Sequence, residues 1–130
     1  MIPLQPETQE DFETVAQEVW EGLPEEFRKV VGNLSMQIAD FAGEATLMQM
    51  RIRNPYELLG LYHGVGLPFK SVGDLPYGPD MIFLYRLPIL SFARGNGEAV
   101  TDVIRHVLIH EIGHHFGFSD DDMEAIEANA

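Results

Sequence analysis

Two histidines four residues apart, His110 and His114, enclose Glu111 in the run Arg105-His106-Val107-Leu108-Ile109-His110-Glu111-Ile112-Gly113-His114-His115-Phe116-Gly117-Phe118-Ser119-Asp120. On a helix, residues at that spacing project from one face, one turn above the other. Two such imidazoles can hold one Zn²⁺, with the adjacent glutamate as general base. A third protein ligand must come from outside the helix. Gly117 falls where a helix commonly stops in a left-handed cap, and Asp120 is the first carboxylate beyond that reversal. The candidate set is therefore His110, His114 and Asp120 for the metal and Glu111 for the proton. A helix with merely solvated histidines fits less well, because three of the five histidines (His106, His110, His114) share one stripe.

The chemistry of such a set is amide hydrolysis. Zinc with three protein ligands keeps a position for water and lowers its pKa to about 7. Glu111 can take the proton and pass it to a leaving amine. An aspartate as third ligand cancels more of the metal's charge than a histidine would, so the water is expected to be less acidic than in a three-histidine site. His106, one turn before His110, reads either as support for the site or as a polar neighbour on the helix rim. His115 is turned about 100° from His114; it is not expected to ligate and should meet a carboxylate or water. Tyr62, Tyr77, Tyr85 and His63 are unranked candidates for stabilising an oxyanion.

The run His110 to Asp120 is similar to the zincin signature H-E-x-x-H-x-x-G-x-x-D, the metzincin pattern with Asp in place of the usual third His. More closely, the chain resembles a small bacterial family of minimal zincin-like metallopeptidase domains, which carry H-E-I-G-H-H-F-G. Tyr56-Glu57-Leu58-Leu59-Gly60-Leu61-Tyr62-His63-Gly64 looks like that family's upstream run. The resemblance covers about residues 23 to 123. It implies one Zn²⁺ held by His110, His114 and Asp120, Glu111 as base, and a peptide or protein substrate. The implied fold is α+β: a short mixed sheet packed against a long active-site helix and an N-terminal helix. Zincins also pair the substrate backbone with an edge strand beside the motif helix; by resemblance that strand is the one at residues 80–86. Metzincins usually continue into a subdomain with a methionine turn. Met123 is the only methionine after the motif and stands too near Asp120 for that turn, so the lower wall of a peptide cleft is expected to be missing.

Composition narrows the classes. A length of 130 residues suits a single domain, 1–130, with one core. The net charge of −13 disfavours nucleic acid and anionic membrane as partners. With no cysteine, neither a disulfide framework nor thiolate ligation is available. The N-terminus lacks a basic-then-apolar leader and no apolar run reaches spanning length, so a cytoplasmic protein is the expectation. Oligomeric state is not legible. Two other functions compete: a zinc-binding module that holds a partner's peptide with little turnover, and a zinc hydrolase on a non-peptide substrate. RNA-maturation endonucleases of the latter kind carry H-G-x-x-H, without the glutamate.

The surrounding elements follow from pattern. Thr8 and Asp11 form a capping box for a helix whose Phe12, Val15, Ala16, Val19, Trp20 and Leu23 face inward. Pro24 opens a short helix with Phe27, Val30 and Val31 inward, ended by Gly32-Asn33. Residues 34–39 alternate as a half-buried strand. Residues 43–53 fit strand or helix, with Met48 and Met50 as core gap fillers. One helical turn follows Pro55, then a glycine- and proline-rich loop or hairpin from Gly60 to Pro79. Residues 80–86 read as a strand covered on both faces. Pro88 should end its pairing or leave an edge, with residues 88–96 connecting to a helix capped by Asn96 and running to about Phe116. Met123, Ala125 and Ile126 mark a weak helical tail.

Overall fold

The first helix starts where local chemistry demands it. The Thr8 hydroxyl accepts from the amide of Asp11 at 3.0 Å, and the Asp11 carboxylate accepts from the amides of Glu7 and Thr8 at 3.1 and 3.3 Å. Helix α1 spans Gln9–Gly22 and buries Phe12, Val15, Ala16 and Val19, as its spacing predicts. The computed structural model describes residues 5–32, 34–63 and 80–128. Helix α2, Glu25–Val31, follows Pro24 and buries Phe27 and Val31; Val30, expected inside, is exposed.

Three strands form one mixed sheet in the order β1-β3-β2, where β1 is Leu34–Ala39, β2 is Gly60–His63 and β3 is Asp80–Tyr85. β1 runs parallel to β3, with Leu34 opposite Asp80 and Ala39 opposite Tyr85. β2 runs antiparallel to β3, with Gly60 opposite Leu84 and His63 opposite Met81. β3 is therefore the central strand. This corrects the expectation that it is the edge beside the motif helix; β2 holds that place. A two-residue period divides β3 between faces. Ile82 and Leu84 join the main core with α1 and the motif helix, while Phe83 and Tyr85 join a smaller cluster with Ala42 and Leu58. Between β1 and β2 lie helix α3, Glu44–Gln49, and a 3₁₀ turn at Pro55–Glu57 capped by Asn54. Met48 and Met50 are exposed and fill no gap.

Residues 88–96 are not a plain connection. Helix α4, Arg86–Asn96, begins directly after β3 and buries Pro88, Ile89, Leu90 and Ala93. Pro88 occupies its first turn, where an amide has no intrahelical acceptor anyway, so the ring is tolerated. Asn96 does not cap the next helix; its side-chain amide donates back to the carbonyl of Phe92 at 2.9 Å. Helix α5, Val100–His115, starts at Ala99 instead, and helix α6, Asp120–Ala128, follows it. The result is the expected α+β arrangement, six helices and a three-stranded mixed sheet among the described residues. No helix among them is long and apolar enough to cross a membrane.

Candidate metal centre

α5 is apolar around most of its circumference. Val103, Ile104, Val107, Leu108, Ile109 and Ile112 are buried, which fixes the helix against α1, α4 and the sheet. His106, His110 and His114 occupy what remains. The rings of His106 and His110 stack at 3.9 Å with 30° between planes. Those of His110 and His114 lie 5.9 Å apart and nearly perpendicular.

The chain leaves α5 through Gly117, whose φ of +78° is the left-handed conformation expected there. The amide of Phe118 returns to the carbonyl of Gly113 at 2.8 Å, and that of Gly117 to His114 at 3.2 Å. Ser119 then caps α6: its hydroxyl accepts from the amide of Asp122 at 3.1 Å, and Asp122 accepts from the amide of Ser119 at 3.3 Å. Asp120 is the exposed first residue of α6. There its carboxylate also suits the positive end of the helix dipole.

α6 runs back along α5. Met123 is fully buried against Gly113. Glu127, one turn further along the same face of α6, reaches the histidine stripe. Its Oε1 lies 2.7 Å from Nδ1 of His106, and its Oε2 lies 3.7 Å from Nε2 of His110. His106, His110 and Glu127 are the one group of three metal-capable side chains whose ligand atoms all fall within 4.8 Å among the described residues. His114 and Asp120 stand outside that group. Sequence reasoning did not pick Glu127; the clue was a carboxylate four residues beyond the only apolar residue of the first α6 turn.

Nε2 of His110 is buried and has no hydrogen-bond partner among the described residues; 3.7 Å is too long for one. An unsatisfied buried nitrogen costs about 1–3 kcal/mol, and a cation relieves it. Burial, aided by His106, holds the His110 pKa below its ordinary value, against the opposing pull of Glu127. A neutral imidazole is the form that ligates. The donor set thus fits a divalent metal of the zinc type.

Glu111 faces the other way, toward the sheet. The backbone N–H of Tyr62 on β2 faces its carboxylate, and its charge acts on the Tyr85 phenol. Burial raises the Glu111 pKa, while His114 and the Tyr62 amide oppose the rise. Tyr62 itself donates to Asp80 at 2.6 Å. Its ring stacks on His115 at 4.0 Å, so His115 packs against an aromatic face. Of the oxyanion candidates, Tyr62 and Tyr85 are buried and His63 is exposed; Tyr77 lies outside the described residues, as does the rest of the segment 64–79.

The chain belongs to the zincin-like metallopeptidase family, whose sequence profile matches residues 31–130. No curated protein is significantly similar to it. The match takes in β1 through α6 and both halves of the histidine stripe. Membership suggests a metallopeptidase and implies a bound metal.

Proposed function

We propose that the protein is a zinc-dependent metallopeptidase with Glu111 as its general base and His110, His114 and Asp120 as ligands of one Zn²⁺. The observation that carries this reading is Glu111 itself. It is a partly buried carboxylate with a raised pKa, next in sequence to a buried imidazole nitrogen that makes no hydrogen bond among the described residues, and facing the amide of an edge strand. When bound, zinc would supply an acidic water and polarise the scissile carbonyl.

The chain's own residues do the rest. A carboxylate with raised proton affinity is suited to accept a proton near neutral pH and release it to an amine. Among the described residues β2 pairs only with β3, so a peptide backbone could add to its free side by strand addition. The Tyr62 amide points toward Glu111 from that strand, which would run a bound peptide past the base. The strongly acidic surface suits basic or neutral peptides.

The test measures zinc content and peptide cleavage together, for wild type and Glu111→Gln. The expected result is zinc retained by both proteins and cleavage by wild type only, with a loss on the order of 10²-fold or more in the variant. Zinc retained with no cleavage of a broad peptide library by either protein would favour the peptide-holding module. Loss of cleavage on Asp120→Asn, in a chain that stays folded, would support the third ligand.

A further inference from the structure

We propose that His106, His110 and Glu127 form a divalent-cation seat of their own at the seam of α5 and α6, one turn N-terminal to the His110–His114 pair and sharing His110 with it. The same four-residue spacing that pairs His110 with His114 also pairs His106 with His110, and among the described residues only the latter pair is met by a carboxylate from a second helix. Two ligands of one tetrahedral zinc, each about 2.0–2.2 Å from the ion, stand roughly 3.3 Å apart. The observed separations of 2.7 and 3.7 Å bracket that value. The two contacts use different oxygens of Glu127, Oε1 and Oε2, and all the ligand atoms lie within 4.8 Å of one another, so small side-chain shifts bring them onto one ion. The three groups are two imidazoles and one carboxylate, a donor set that zinc accepts. His106 keeps a side-chain exposure of 56%, which gives an ion a route in from solvent.

The buried Nε2 of His110 can serve only one ion. The outer seat and the His110–His114–Asp120 set are therefore alternatives. On the helix, Glu111 is turned about 100° from His110 and about 140° from His106. An ion in the outer seat lies further around from the base, so it would anchor α6 to α5 without presenting a water to Glu111.

The test uses the full chain carrying His114→Gln and Asp120→Asn, which dismantles the set proposed for catalysis and leaves the outer seat intact. Co²⁺ absorption and competition with a chromophoric chelator report binding. One Co²⁺ or Zn²⁺ per chain is expected, and adding either His106→Gln or Glu127→Gln should weaken it at least about tenfold. Metal-free thermal melts confirm that the compared chains are folded; if the double variant does not fold, His114→Gln alone serves as background. A folded background that takes no ion overturns the seat, and so does binding indifferent to both His106→Gln and Glu127→Gln. Peptide cleavage by the wild type is read separately, so either idea can fail without the other.

Discussion

Met123 Sδ lies 2.5 Å from the point where a Cβ on Gly113 would stand, and Met123 Cγ lies 2.9 Å from it. The glycine inside the motif is therefore what lets α6 close on α5, and with it what brings Glu127 to the histidine stripe. Gly113→Ala should destabilise the protein. Overpacking costs about 1–3 kcal/mol, against about 1 kcal/mol gained from alanine's helix propensity. Met123 has no exposed surface to retreat into. Chemical denaturation should show the loss, and Met123→Ala added to Gly113→Ala should recover part of it. A Gly113→Ala protein more stable than wild type would mean that α6 does not pack as closely as described.

That contact also marks where sequence reading stops. The motif, the left-handed Gly117, the Thr8–Asp11 box and the apolar face of α1 were all legible, because each depends on residues within one or two turns of each other. The Ser119–Asp122 box is equally local, a cap for α6 set within three residues. Strand order is not legible: nothing within residues 80–85 says which neighbours pair on either side, so the central place of β3 appears only in the fold. Pro88 marks the end of strand pairing but does not announce that its own residue lies in the first turn of a helix, α4. Glu127 was illegible for another reason. Its place depends on α6 folding back past Gly113, a contact between helices that no periodicity encodes.

The buried phenols set an alkaline limit on stability. Burial raises the Tyr62 pKa, with its hydrogen bond to Asp80 and that carboxylate's charge adding to the rise. Burial raises Tyr85 as well, followed by the charge of Glu111. For groups raised in the fold, the stabilisation is full below the unfolded value of about 10 and is lost as pH climbs through the folded value. Phenolate absorbance should show Tyr62 and Tyr85 ionising late. Tyr62→Phe should remove one late titration. It should also cost about 1–3 kcal/mol at neutral pH through the lost bond to Asp80, a deficit that shrinks in strong alkali. A Tyr62 that titrates at the ordinary value would contradict the Tyr62–Asp80 bond.

Glu111 predicts the reverse of the usual surface carboxylate. Its pKa is raised by burial, so in the metal-free protein its ionised form costs stability at neutral pH. The sign is that of any raised group: stability is greatest below the unfolded value of about 4.3 and declines as pH rises through the folded value. Glu111→Gln keeps an oxygen that can accept from the Tyr62 amide and cannot ionise. Metal-free Glu111→Gln should therefore melt higher than metal-free wild type near neutrality, with the gap closing in acid. Equal melting temperatures at every pH would show that Glu111 is solvated rather than packed against the sheet.

Metal binding itself should be readable as stability. An ion that binds only the folded chain adds about 1.4 kcal/mol per tenfold excess over its Kd, or about 2.7 kcal/mol at a hundredfold excess. For a chain of this size that is a rise of roughly 10 °C in Tm. His110 belongs to both ligand sets, so His110→Ala should abolish the zinc-dependent rise whichever seat the ion prefers. His106→Gln and His114→Gln should each leave one seat intact and retain part of it. A full zinc-dependent rise in His110→Ala would show that the ion sits elsewhere, and both ligand assignments would fall together.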